Sequence, residues 1–429
     1  MRSHAEHAAV VAELVLPLLE DLALRAPELI PIDDRALSGR VAAHDIAAAL
    51  ALPPFDNSQM DGYAVRTADF TGAPPFALTV GPTAAAGDPP FMCPPGAACP
   101  VMTGAAVPFG ADAVIPIEQA DPPRFGRLHR PTGTPLPLAS PEETVAFAEA
   151  PSAGAFVRAQ GSDHRPGAPL LRAGTRLRPT SIGLLASAGI STVPVRLRPR
   201  VLLLSTGDEV TAPGEPLGPG RIYDANAPML AAALREAGAD VTTRRVADRP
   251  EALRACIEAA GTHDLLVTSG GISAGAFEVV RDAFGGDSDA AHSTGDISFT
   301  GIAMQPGGPQ GAGSIVVDGR RLVTLCFPGN PVSSAISAEL FLLPLLRAYA
   351  GAPAHGERST AVLAHDADSP EHKHQVRRGR FLDDGTVALT PPSSHLLADL
   401  ARAELLAHIP IGVAHLAAGS PIEIQRFDV

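Results

Sequence analysis

The 429-residue sequence has no tryptophan, three tyrosines and four cysteines, and charged residues make up only 18% of it. The cysteines, Cys93, Cys99, Cys256 and Cys326, form no CxxC pair and have no histidines at zinc-finger spacing. This excludes a structural zinc site of that kind and predicts reduced thiols in a cytoplasmic protein. Cations are short as well: Lys plus Arg is 33 against 46 for Asp plus Glu, a formal net charge of −13. A dedicated nucleic-acid binder needs a basic face, so that class is excluded, while small anionic ligands remain open because they need only a local set of donors. Long apolar runs are missing. Val10–Leu19 is broken by Glu13 and Pro17 and lacks a cleavage site, so it is not a signal peptide, and no stretch approaches the ~20 apolar residues of a membrane span. Walker, GxGxxG, GxSxG and HExxH patterns are absent too, which leaves an NTPase, a dinucleotide fold, an α/β-hydrolase and a zincin without support.

What is present is apolar residues at 45%, enough to bury a sizeable core, with 41 glycines and 43 prolines, about a fifth of the chain. Heavy alanine and arginine use fits a GC-rich genome and says nothing about function. At ~100–200 residues per domain the length predicts two to four domains. Helical spacing of apolar residues runs over Ala8–Leu24 and Ser38–Leu50, the latter with Asp33, Asp34 and Ser38 as capping oxygens. From Pro53 to about Pro151, short apolar runs (Ala77–Val80, Ala98–Met102, Ala113–Glu118, Thr144–Phe147) alternate with Gly, Pro and Asp clusters and predict a small β domain, with Ala120–Ser140 as a surface loop. From Arg200, strands and helices alternate. Strands are predicted at Val201–Leu204, Val241–Val246, Asp264–Thr268 and Leu322–Phe327. Helices are predicted at Ala227–Gly238, Pro250–Ala260, Phe277–Phe284 and Val332–Tyr349. This is the pattern of a doubly wound α/β domain. Beyond Gly351, Thr386–Thr390 and Ile422–Phe427 read as strands of a further β domain.

Ligands of open α/β sheets sit beyond the carboxyl ends of the strands, and three loops leave strands there. Ser205-Thr206-Gly207-Asp208-Glu209 sets two carboxylates beside a turn glycine, suited to Mg²⁺ or a ligand hydroxyl, or simply to capping backbone N–H groups. Thr268-Ser269-Gly270-Gly271-Ile272-Ser273-Ala274-Gly275 lets a phosphate approach the backbone ahead of a helix starting near Ala276, or is a flexible turn. Pro328-Gly329-Asn330-Pro331 fits a helix start, with Asn330 as cap and Pro331 in the first turn, and equally the rigid wall of a site. In the β-rich region Asp56–Val65, Met102–Ala105 and Gly161-Ser162-Asp163 after Arg158 are polar loops whose residue types serve turns as readily as ligands.

Together, and in this order, these motifs with Gly110–Val114 and Ile222–Asn226 resemble the molybdopterin molybdenumtransferase family, represented by MoeA and the E domain of gephyrin. The resemblance covers roughly residues 10–425. It implies an elongated multidomain α/β plus β fold: 1–52 with 153–180 as a linker and dimerisation domain, 53–152 as the inserted β-rich domain, 181–350 as the doubly wound α/β domain, and 351–429 as a C-terminal β barrel. It implies a cytoplasmic homodimer that inserts molybdate into adenylylated molybdopterin with Mg²⁺-dependent release of AMP. Transient contact with the adenylyltransferase and apo-molybdoenzymes is implied as well, but neither nucleic acid nor membrane. By matching position, Asp61, Thr103, Asp163, Glu209 and Asp248 are implied as catalytic. Ser205, Thr206, Gly207, Asp208, Ser269, Gly270, Gly271, Ser273, Glu278, Gln305, Pro328, Gly329, Asn330, Pro331, Arg378 and Ser394 are implied to bind substrate, and Asp208 and Glu209 to hold the metal. The sequence departs from the family at Gly301, Gln305 and Gly308, where lysines are frequent. It reads as an actinobacterial-type variant with Met304-Gln305-Pro306-Gly307, in which the anion site draws on Arg281, Lys373, Arg377, Arg378 or loop amides. Ser162 and Glu278 also depart. The adenylyltransferase that makes the adenylylated pterin shares the α/β domain, but it typically continues Gly-Thr-Gly where this chain has Ile272-Ser273-Ala274. A non-enzymatic scaffold or a paralogue that binds the pterin without turnover is the remaining alternative.

Overall fold

The computed structural model describes residues 1–126, 128, 143–259, 261–272, 280 and 295–427. The predicted helix Phe277–Phe284, most of the loop Ala120–Ser140, and Ser273, Glu278 and Arg281 lie outside the described residues, Val280 excepted. The chain divides into two compact units, one of residues 1–44, 174–178 and 194–429, the other of 45–173 and 179–193.

The first unit is organised by a six-stranded sheet in the order Asp240–Val246, Arg200–Thr206, Leu265–Ser269, Arg320–Phe327, Pro309–Val317, Gly295–Gly301. Its first four strands are parallel and the last two form an antiparallel hairpin. Alternation along the strands feeds two cores, as period-two geometry demands. Val201, Leu203, Leu265, Val267 and Leu325 pack against the helices His4–Leu24 and Asn226–Glu236 and the segment Pro331–Tyr349. Leu202, Leu204, Leu266 and Cys326 meet Leu253 and Ile257 of the helix Pro250–Glu258 on the other face. Helices on both faces make this the doubly wound domain that the alternation predicts. The His4–Leu24 helix opens on a capping box, with Ser3 and Glu6 exchanging bonds to each other's backbone N–H.

Pro331–Tyr349 is the one described helical segment long and apolar enough to cross a membrane. It is 67% buried in the sheet's core, and its buried Glu339 is held by both terminal nitrogens of Arg347 and by Gln425. That is the packing of a core helix. The predicted Val332–Tyr349 helix is not uniform: it is α-helical over Pro331–Ser337 and Leu343–Tyr349, with a π turn at Ala338–Leu342 between. Pro344 has no N–H to return to the preceding turn, and the wider π turn accommodates that loss.

Residues 358–426 build a mostly antiparallel sheet on the same unit. Met304–Gln305 runs beside His374–Phe381, which pairs with Leu405–Ile409; Pro421–Arg426 and Arg358–Val362 follow. It closes around Leu363, Val387, Ala407, Ile409, Ile422 and Ile424.

In the second unit a six-stranded sheet contains the predicted strands, observed as Phe76–Val80, Ala97–Val101, Ala113–Pro116 and Thr144–Phe147, together with Gly62–Val65. Gly62 sits between two partners, facing Val101 and Pro116, and a β-carbon there would collide with the carbonyl of Ile115. Gly62→Ala is expected to cost ~1–3 kcal/mol, read as a fall in the urea midpoint; an unchanged midpoint would show that the strand yields freely.

The predicted helix Ser38–Leu50 does not form. Arg35–Leu37 makes one 3₁₀ turn capped by Asp34, Gly39 turns left-handed (φ +78°), and Ile46–Ala47 pairs as a strand with Pro169–Leu171. A strand partner more than a hundred residues away supplies hydrogen bonds that local helical spacing does not.

Candidate active site

The three loops predicted at the strand ends converge on one cleft of ≈ 950 Å³. Ser205–Val210, Ile222–Asn226, Asp248, Gly270–Ile272, Pro309, Pro328–Pro331 and Ser333 line it. Backbone close approach holds the loops together. Gly270 (φ +98°) lies so near Thr206 that a β-carbon would sit 3.0 Å from its carbonyl and hydroxyl oxygens, and one on Gly329 would sit 3.3 Å from Gly270 Cα. Asp208 and Asp248 lock two strand ends reciprocally: the Asp208 N–H donates to Asp248 Oδ2 (3.1 Å) and the Asp248 N–H to Asp208 Oδ1 (3.3 Å). Gly207 (φ +140°) leaves room for the Glu209 carboxylate, 2.8 Å from where its β-carbon would be.

Pro328–Pro331 behaves as the helix start that its sequence allows. Asn330 Oδ1 accepts from the Val332 and Ser333 N–H groups at 3.1 and 3.3 Å, and Pro331 occupies the first turn. Those amides are therefore spent within the protein, and the Gly270 N–H is spent on the Phe327 carbonyl. The loop amides expected to hold phosphate are, at these positions, already engaged.

Electrostatically the cleft is one-sided. Asp208, Glu209, Asp224 and Asp248 line it, and no lysine or arginine does among the described residues. The arginines expected to compensate are committed elsewhere. Arg378, 1% exposed, donates to the carbonyls of Pro391 and Ser393, and burial lowers its pKa. Arg377 donates to Thr390 O and Asp368 O. Both brace the loop after the strand Val387–Leu389, and neither lines the cleft. That loop carries Ser394, and His395 Nδ1 beside it lies 3.4 Å from Asn330 Nδ2, which brings the loop to the cleft's edge. Gln305 is not in the cleft: it accepts from Gln375 Nε2 at 2.8 Å. Ser269 is behind the wall, its hydroxyl 3.4 Å from Pro328 O and from Ser334 Oγ.

Asp61, Thr103 and Asp163 belong to the second unit. Asp61 Oδ1 accepts from the Thr103 N–H (2.7 Å) and hydroxyl (2.8 Å), and these bonds, the backbone one foremost, hold its carboxyl below the usual carboxylate range. Asp163 donates its N–H to Leu52 O and keeps an exposed side chain.

Sequence reasoning passed over Tyr223, Asp224 and Asn226 as site residues. Asp224 Oδ1 accepts from the Ala227 N–H, and Asn226 Nδ2 donates to Gly329 O at 2.7 Å, tying this segment to the Pro-Gly-Asn-Pro loop. Asn226 Oδ1 and Thr206 Oγ1 are buried polar atoms in the cleft wall with no partner among the described residues, a condition that marks places for water or ligand. The signal in the sequence was Asp-Ala-Asn just ahead of a helix, indistinguishable from an ordinary cap.

Residues 2–189 match the model of the MoeA N-terminal region (domains I and II), and residues 202–348 that of the probable molybdopterin-binding domain. The chain is 41% identical to molybdopterin molybdenumtransferase 2 of Mycobacterium tuberculosis, over 99% of both chains. The chain belongs to the molybdopterin molybdenumtransferase family. It is 33% identical to a molybdopterin molybdenumtransferase of Synechococcus elongatus over 96% of this chain and 97% of that one. A crystal structure of the molybdopterin biosynthesis MoeA protein from Pyrococcus horikoshii superposes with a TM-score of 0.74 at 30% identity, covering 97% and 99% of the two chains. Family membership makes the chain a transferase of molybdenum cofactor biosynthesis, and it gives the cleft of the α/β domain its place as the candidate active site.

Proposed function

We propose that the chain inserts molybdate into adenylylated molybdopterin with release of AMP, and that Asp208 and Glu209 hold the Mg²⁺ this requires. The observation that carries the metal is the cleft's charge: four carboxylates and no cationic side chain among its described lining, in a site meant for a pyrophosphate and an oxyanion. Mg²⁺ fits such a wall, since it takes one or two protein carboxylates and completes its shell with waters and substrate phosphates. No cluster of three or more metal-ligating side chains is present among the described residues, so the proposed pair needs waters and substrate phosphates to complete the shell. When bound, Mg²⁺ neutralises phosphate charge and polarises the bond to be cleaved. The residues themselves orient. The Asp208–Asp248 exchange fixes the two strand ends, the Asn226–Gly329 bond fixes the opposite wall, and Pro328–Pro331 supplies a rigid edge. Asp61, Thr103 and Asp163 serve the same reaction in a homodimer of four-domain subunits.

The test is turnover of adenylylated molybdopterin with molybdate, following AMP. AMP release that stops with chelator and returns with Mg²⁺ is expected. Pterin binding without AMP release would support the non-turning paralogue instead.

A further inference from the structure

In a chain without tryptophan, aromatic surface is scarce. Of its three tyrosines Tyr63 is 1% exposed and Tyr349 is half-buried, whereas Tyr223 is 46% exposed, on the wall of the cleft. Ile222 beside it is 58% exposed. These side chains are not on a loose loop. Ile222–Tyr223 pairs in parallel with Val210–Thr211, the Ile222 N–H donates to Glu209 O (3.0 Å) and the Asp224 N–H to Thr211 O (2.9 Å). The Tyr223 hydroxyl donates to Glu215 O at 3.0 Å. The ring is thus pinned at its backbone and at its tip. With the hydroxyl's proton already donated, the ring face is what Tyr223 offers to a ligand.

We infer that Tyr223, with Ile222 beside it, is the ledge on which a flat heteroaromatic ring of the substrate stacks. This rests on the transferase reading, whose substrate carries two such rings, a pterin and an adenine. A rigid exposed tyrosine supplies contact area without losing rotamer freedom on binding, and its position beside Glu209 sets the stacked ring next to the acids proposed to meet the phosphates.

The absence of tryptophan makes the test direct, because Tyr223→Trp introduces the chain's single indole. Saturable quenching of that indole by AMP assigns the ledge to adenine; quenching by molybdopterin assigns it to the pterin. In turnover, Tyr223→Ser is expected to raise KM for adenylylated molybdopterin about tenfold with kcat changed by less than about twofold, as loss of a stacking partner predicts, and Tyr223→Phe, which keeps the ring but loses the bond to Glu215 O, to raise it by less than about threefold. Turnover with an unchanged KM in Tyr223→Ser, or quenching by neither probe, overturns the ledge and leaves the transferase reading intact. A fall in Tyr223→Phe as large as in Tyr223→Ser also overturns it, because the hydroxyl would then be the operative group. If the parent chain turns nothing over while the indole is still quenched saturably, the ledge stands and the transferase reading fails.

Discussion

Acidification from pH 7 to pH 5 is expected to destabilise the first unit by roughly 5–6 kcal/mol, before most carboxylates titrate. The cause is a group of buried histidines where the N-terminal helix meets the C-terminal sheet. His4 stacks on His374 with ring centroids 3.9 Å apart, and His374 Nε2 lies 3.1 Å from His408 Nδ1. His7, on the same helix as His4, packs edge-on against Phe341 of the Ala338–Leu342 turn. Burial pushes His7 and His374 down to about 4 and His408 to about 3. Neighbouring charge adds to burial: Arg2 acts on His7, His4 and Arg358 on His374, and His374, Arg358, His4 and His355 on His408. Folded-state values below the unfolded ~6.5 mean that the unfolded chain binds more protons in between. Stability is therefore full above about pH 6.5 and is lost as pH falls toward 4, at about 1.4 kcal/mol per pH unit for each histidine that titrates. Melting temperatures at pH 7.5, 6.5 and 5.5 check this. His408→Gln should flatten the slope, and a parent midpoint that does not move between pH 6.5 and 5.5 would refute the account.

None of that cluster was legible beforehand, because His4, His7, His374 and His408 come from three separate elements and carry no common spacing. Adjacent strands and local signals read well. Val201–Leu204 and Leu322–Phe327 are apolar because they are buried on both faces, and Asn330-Pro331 reads as a helix start because that chemistry is local. The hairpin Gly295–Gly301 with Pro309–Val317 was invisible for the opposite reason. Gly311 and Gly313 are glycines because a β-carbon there would strike Phe299 or the Asp296 carbonyl, so close packing erased the β-branched signature by which strands are recognised. The same holds at the site. The strand-end loops were found because their position follows from sheet topology, whereas Arg378 and Gln305, singled out through family positions, proved to be tied to Pro391, Ser393 and Gln375. Charge on a side chain is visible in sequence; the carbonyl that consumes it is not.

Removing charge from the Asp208-Glu209 pair is expected to slow AMP release ~100-fold or more, the scale seen when one electrostatic contact to a transition state is lost. The variants separate charge from scaffolding. Asp208→Ala removes both the charge and the acceptor for the Asp248 N–H, so it loosens the loop as well. Asp208→Asn keeps a carbonyl oxygen where Oδ1 stands, preserving the bond to the Asp248 N–H while deleting the charge. If charge is what matters, Asp208→Asn and Glu209→Gln lose turnover alike, need more Mg²⁺ for what remains, and melt within about 1 kcal/mol of the parent, as substitutions at exposed positions do. If Asp208 only braces the loop, Asp208→Asn stays active and Asp208→Ala alone fails. Gly207→Ala adds an independent arm: at φ +140°, with the Glu209 carboxylate 2.8 Å from the added methyl, it displaces that carboxylate without changing it chemically. Turnover in Gly207→Ala should then fall with that of Glu209→Gln. Parental rates and Mg²⁺ demand in all of these variants would remove the pair from the reaction and return Asp208 to the plain role of holding two strand ends together.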